Sequence, residues 1–330
     1  MIPRLKTAPV VALLAVCLAA APAQAAVVVP SSTVVEMTAL INGQVVEDDA
    51  VAQRLIDAYW TPERMRAAEP VADPEIIDDP ELERLDHPDN VGPEEVASEP
   101  VGPLTAARSG GTQSVSLSPG VGKVFFRDPV TLKNYVCSGS TINSNAKNVV
   151  STAAHCIHSG KNGHEYDNWM YAPGYHNGVA HLGKFSAKYY HATKGWTSHS
   201  YNWWDFAFVN VRKLDGVNLV HKTGGNGILV NSSKQNAVTV LAYPASNPYD
   251  GTDQIYCQAN MHWAAAAQVK VYCGLPGGAS GGPMIHQYSN TVKFGNVNGV
   301  VAYVWNTKNY SPYFDSYVLN VFNTAKNKTT

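Results

Sequence analysis

Hydrophobic and polar positions follow two different rhythms along the chain. From Val121 onward they fall into short runs rich in β-branched and aromatic residues, punctuated by Gly, Pro and Asn. Val121–Phe126, Asn134–Ile142, Asn148–Thr152, Phe206–Val211, Val238–Tyr243, Gln254–Gln258, Val269–Gly274, Pro283–Gln287 and Val292–Val304 all favour strands. Many short strands with few helices between them predict an all-β barrel or sandwich. Helical spacing appears near the two ends. Leu55, Ile56 and Tyr59 share one face of a predicted helix over Val51–Trp60, and Thr61-Pro62-Glu63 reads as an N-cap with Pro at the first helical position. Tyr313, Phe314, Tyr317, Val318, Val321 and Phe322 predict a closing helix. From Glu69 to Arg108 the chain is rich in Pro, Asp and Glu and poor in aromatics, which predicts a disordered linker.

The first residues add a processing signal to this picture. Arg4 and Lys6 precede an apolar run from Val10 to Ala21, and Ala23-Gln24-Ala25 is a small-x-small cleavage site. Together they predict a secretory signal peptide over residues 1–25. The run is shorter than the ~20 residues a spanning helix needs, and no later segment is longer, so a secreted, extracellular product is expected with no membrane partner.

Charge divides the remainder. Residues 26–108 hold 18 acidic residues against five arginines, a net of −13, and residues 109–330 hold 17 basic against eight acidic, a net of +9. The acidic part reads as a propeptide whose charge opposes the basic domain it precedes, making it that domain's own partner. Arg108, before Ser109-Gly110-Gly111, is a plausible maturation point. The lysines of the basic part are scattered, which favours a solvated surface over nucleic-acid binding.

Beyond the predicted signal peptide there are four cysteines, and an even count in an exported chain implies disulfides. Pairing Cys137 with Cys156 and Cys257 with Cys273 closes two short loops between neighbouring predicted strands, each stabilising the fold by ~3 kcal/mol in the chain-entropy account. A zinc site from Cys156, His155 and His158 would match no common ligand spacing, so no metal or other cofactor is expected. His158, His164, His176, His181, His191 and His199 read as loop or packing residues, and Trp203 and Trp204 as core.

Three segments carry chemistry. Thr152-Ala153-Ala154-His155-Cys156 ends an apolar strand in a histidine beside a cysteine. Trp203-Trp204-Asp205-Phe206-Ala207 sets one acid among apolar residues, where a carboxylate needs a partner such as an imidazole N–H. Gly277-Gly278-Ala279-Ser280-Gly281-Gly282-Pro283 is a glycine-rich turn around a serine. Cleaving an amide through serine needs a base, a carboxylate that orients it, and N–H donors for the oxyanion.

In this order the segments resemble the chymotrypsin-like serine peptidases, and among them the secreted bacterial trypsin-like and V8-like enzymes, over about residues 120–325. The resemblance implies two six-stranded antiparallel β-barrels with a C-terminal helix. It assigns His155 as general base, Asp205 as orienter, Ser280 as nucleophile, and the Gly278 and Ser280 N–H groups as oxyanion hole. Cys137–Cys156 would brace the histidine loop. Protein or peptide substrates and a monomer are expected.

Two departures qualify the resemblance. Ala279 stands where amine-activated trypsin relatives have an aspartate, so activation is expected by removal of an occluding or folding-assisting propeptide. The substrate-binding strand Gly299–Val304 carries Val301 where glutamyl-specific relatives place a histidine, and Val269–Gly278 contains no acid for a basic P1 residue. Ala302, Tyr303 and Val304 therefore suggest a narrowed, apolar pocket and cleavage after small or apolar residues. A non-catalytic binding protein on the same fold is the competing reading. An ester-specific hydrolase would need an α/β repeat around its Gly-x-Ser-x-Gly elbow, which this texture lacks.

Overall fold

A computed structural model describes residues 30–87, 92–103, 115–265 and 267–330. The expected signal peptide and the expected cut after Arg108 lie outside the described residues. The N-terminal region contributes β1 (Val34–Thr38), α1 (Asp49–Tyr59), α2 (Pro62–Ala67), β2 (Glu69–Pro70), α3 (Pro80–Asp86) and β3 (Glu95–Ser98). Asp48 caps α1 by accepting from the Val51 N–H, and Thr61 caps α2 by accepting from the Arg64 N–H with Pro62 behind it, the second cap as expected.

Six strands then form a closed ring: β4 (Val121–Arg127), β5 (Asn134–Ile142), β6 (Val149–Thr152), β7 (Asp167–Pro173), β8 (Phe185–Thr193) and, after the short α4 (Lys194–Thr197), β9 (Ala207–Val211). The order is β4-β5-β6-β9-β8-β7 and back to β4, with every pair antiparallel. Val124, Tyr171, Phe185 and Tyr190 fill the ring. This is the first of the two expected barrels.

The second half is less regular than the expected second ring. After α5 (Leu219–Thr223) come β10 (Gly227–Val230), β11 (Ala237–Ala242), β12 (Ile255–Asn260), β13 (His262–Ala265), β14 (Gln268–Val271), β15 (Pro283–Ser289), β16 (Phe294–Val300), β17 (Tyr303–Trp305) and β18 (Lys308–Pro312). They form a sheet β12-β11-β15-β16-β10-β3 and a second sheet β13-β14-β18-β17. The chain changes sheets at Val301 and Ala302. The Val301 N–H donates to Gly282 O, whereas the Ala302 N–H donates to Tyr310 O. Val240, Val269, Leu275, Met284 and Val301 pack between the two sheets. The closing helix α6 (Ser316–Ala325) starts at its cap Asp315, so Tyr313 and Phe314 precede it.

Both disulfides pair as expected, Cys137 with Cys156 and Cys257 with Cys273. The stretch predicted as a disordered linker differs from expectation. Where it is described, β2 pairs with β5, α3 docks on the second half through Glu83 and the Ala267 N–H, and β3 adds itself to the edge of β10. Its acidic side chains, which argue for solvation when read alone, here meet N–H donors of the basic part.

Candidate active site

Adjacent strands bring the predicted histidine and aspartate together. Thr152 at the end of β6 pairs with Ala207 at the start of β9. One 3-10 turn leaves β6 and carries His155; another, Asn202–Trp204, delivers Asp205 ahead of β9. The Cys156–Cys137 bridge ties the first turn to β5. Asp205 is completely buried and grips His155 at two points: Oδ1 accepts the backbone N–H at 2.8 Å, and Oδ2 faces Nδ1 at 2.7 Å. A carboxylate only accepts, so the proton sits on Nδ1 and the Nε2 lone pair faces away. Burial opposes the imidazolium, but the charge and hydrogen bond of Asp205, joined by the charge of Asp73, hold the His155 pKa above the ordinary value. Among the described residues Nε2 has no hydrogen-bond partner, so the Ser280 hydroxyl is not bonded to it in this state.

The serine turn is built by glycines that tolerate no side chain. Gly278 and Gly281 have φ of +94° and +79°, and a Cβ on either would meet backbone atoms, of Tyr243 and Ala245 for Gly278 and of Ser138 and Ala153 for Gly281. Gly281 is thereby seated against the strand end that leads to His155. Ser280 O accepts the Ser138 N–H at 2.7 Å, and the Ser138 hydroxyl donates to Gly278 O at 2.9 Å. Among the described residues neither the Gly278 nor the Ser280 N–H finds an acceptor. Two unpaired donors beside a serine can receive an oxyanion.

The strand predicted to bind substrate borders this turn. Ala302 and Tyr303 are buried; the Tyr303 ring stacks on Tyr310 at 4.8 Å and its hydroxyl donates to Gln268 Oε1 at 2.8 Å. Asn309, also buried, bonds both the Leu275 N–H and the Leu275 carbonyl at 2.8 Å. The Val304 N–H is occupied, donating to Asp73 Oδ2 at 3.1 Å. Asp73 is a residue that sequence reasoning missed. It is visible only as one acid in an acidic stretch, and nothing local says where it docks. Burial raises its pKa, against the opposing Val304 N–H bond and the nearby His155. Asn202 was missed too; its side chain bonds the backbone of Glu75 and Ile77.

The remaining expected residues have other partners. Donor atoms of Cys137, His155 and Cys156 lie within 4.8 Å of one another, yet both sulfurs are in the disulfide and Nδ1 faces Asp205. His158 Nδ1 accepts from the Gly160 N–H, His164 faces Asp128, His176 faces Asp253, and His191 bonds Asn210. His199 stacks on Tyr201. Trp203 and Trp204 are core residues whose indole N–H groups both donate to Asp86.

No family model and no curated protein matches the chain. Solved structures do. The protease Anisep from Arthrobacter nicotinovorans is 30% identical with a TM-score of 0.61 over 66% of this chain and 99% of its own. The thermostable serine protease AL20 from an extremophilic microorganism is 26% identical with a TM-score of 0.60 over 64% and 99%. A Glu endopeptidase shares the fold at 15% identity and a TM-score of 0.52. With His155, Asp205 and Ser280 in that order along the chain, a closed antiparallel barrel and a relative of that similarity matched over nearly its whole length, the chain belongs to the chymotrypsin-like serine peptidases.

Proposed function

We propose that the chain is the precursor of a secreted serine endopeptidase. The observation that carries this reading is the two-point grip of Asp205 on His155 beside a serine turn with two unpaired N–H donors. In the reaction His155 Nε2 takes the Ser280 hydroxyl proton as Oγ attacks the peptide carbonyl, and Asp205 stabilises the imidazolium. The Gly278 and Ser280 N–H groups receive the negative charge that develops on the carbonyl oxygen. His155 then returns the proton to the leaving amine, and water, deprotonated by the same nitrogen, releases the acyl-enzyme and restores Ser280. Two disulfides agree with an oxidising destination. The enzyme acts as a monomer on protein or peptide substrates.

Cleavage after small or apolar residues is supported by the side chains of Val301, Tyr303 and Asn309, which carry no charge of their own. Profiling a peptide library tests this; dominance of acidic or basic P1 residues would refute it. The assignment itself is tested by fluorophosphonate labelling of the chain after removal of residues 26–108, with Ser280→Ala and His155→Ala beside wild type. Wild type should label and both variants should not. Labelling that persists without Ser280 would sink the reading and leave the non-catalytic alternative.

A further inference from the structure

We propose that the cleft is a receptor for an acidic peptide, and that its occupant is this chain's own segment Glu69–His87, threaded opposite to a substrate and therefore held without being cut. The proposal rests on the peptidase reading above.

The path is defined by contacts on both sides of the serine turn. β2 runs parallel to β5, pairing Glu69 with Tyr135 and Pro70 with Val136, and the Val71 N–H points at Val136 O. Pro70 lies against Gly277, close enough that a Cβ there would approach the Pro70 ring at 3.0 Å. Three residues further on, Asp73 has reached the other wall and accepts the Val304 N–H. The chain has crossed from β5 past Gly277 to β17, and residues 71–75 roof a cavity of about 340 Å³ that includes His155, Tyr135 and Trp196.

Direction follows from where the acyl half of a substrate must lie. The P1 side runs along Ala302–Val304, so a substrate enters along β17 and its leaving amine departs toward β5. The segment passes these landmarks in the reverse order. Its amide groups are then inverted relative to a scissile bond. No leaving nitrogen is presented to His155 when a carbonyl faces Ser280, because acyl transfer needs carbonyl, nucleophile and base in one fixed arrangement.

Carboxylates hold the remainder. Beyond Asp73, Asn202 clamps the backbone of Glu75 and Ile77. Glu83 is buried and accepts the Ala267 N–H at 2.7 Å. Asp86 accepts both indole N–H groups of Trp203 and Trp204, at 2.9 and 2.6 Å, and the Ser31 hydroxyl as well. His87 follows, its ring 4.5 Å from Trp204 and its Nε2 3.4 Å from Asp315. Three acidic side chains on four N–H donors of the basic half give an acidic peptide a specific seat, where net charge alone would give only attraction.

The test uses the intact full-length chain. Fluorophosphonate labelling of Ser280 should be slow in wild type. It should quicken about tenfold in Asp73→Ala and again in Asp86→Ala, since each leaves buried N–H donors without their acceptor, while Glu63→Gln, exposed and in a salt bridge with Arg66, should label like wild type. Removal of residues 26–108 should release full labelling. A synthetic peptide of residues 69–87 should then inhibit the processed enzyme competitively and be recovered uncut. The peptide arm keeps the test valid if a variant fails to fold. Intact wild type that labels as fast as processed chain, or cleavage of the peptide between residues 69 and 77, would overturn the proposal. A processed chain that never labels at Ser280 would instead remove the peptidase reading beneath it.

Discussion

Asp205 shows how much one buried carboxylate can decide. Its two oxygens serve a single residue, one holding the His155 backbone and the other its ring. In Asp205→Asn the amide can still accept one of these bonds, but its NH₂ cannot accept from Nδ1, and the imidazole is driven to the tautomer with Nε2 protonated. A base that already carries the proton cannot take one from Ser280. The expected result is a fall of about 10⁴ in kcat, the size seen for this change in the trypsin template, with a melting temperature near wild type. The pH profile should move as well. His155 must be neutral to act, and its raised pKa means that activity is lost as pH falls through that raised value. Removing the Asp205 charge lets burial dominate, so the inflection should shift to lower pH. A variant with wild-type activity, or with an inflection displaced upward, would contradict this role.

Elements of the N-terminal region are also part of the barrel's packing. Trp60 follows α1, is fully buried, donates its indole N–H to Asn168 O at 2.7 Å and lies 5.5 Å from the Phe125 ring. Trp60→Ala should destabilise the full-length chain by about 3–5 kcal/mol, as large-to-small changes in a core do, measured by denaturant unfolding. A loss below about 1 kcal/mol would mean that α1 rides on the barrel without supporting it. The same elements mark what a sequence can disclose. β5 was readable to the residue because strand formers (Tyr135, Val136, Thr141 and Ile142) stand near both of its ends, and the turns around His155 and Ser280 were readable because their chemistry is local. β8 and β18 went unread. Their buried polar residues break the apolar pattern: His191 is satisfied by Asn210, Asn309 by Leu275, and Ser311 by the Val300 N–H. Asp73 and Asp86 were illegible for a related reason. An acid-rich stretch looks solvated until its donors, more than a hundred positions away in sequence, are brought beside it.

Across the whole molecule, opposed charge and buried carboxylates make contrary demands on pH. The N-terminal region carries −13 and the remainder +9; on net charge alone, raising the pH would ionise more carboxylates and tighten their union. The carboxylates at the contact behave otherwise. Burial raises the pKa of Asp73 and of Glu83, and raises that of Asp315, beside His87, to about 7 despite the N–H bonds of Tyr317 and Val318 and the charge of Lys234. A group whose pKa is higher in the docked state takes up a proton on docking. Its contribution is therefore complete below the undocked pKa and is lost as pH rises through the docked one. The long-range attraction is screened within ~8 Å at physiological ionic strength, whereas the buried groups are screened far less, so the local effect should decide the direction. After a single cut within residues 104–114, the N-terminal fragment should stay bound during gel filtration at about pH 5.5 and separate at about pH 8, a window that brackets the Asp315 titration. Tighter retention at the higher pH would show that net charge governs the union. Because the catalytic His155 must also be neutral to work, release of the segment and competence of the base would then arrive together as pH rises, and a precursor held in acid would be silent for two reasons.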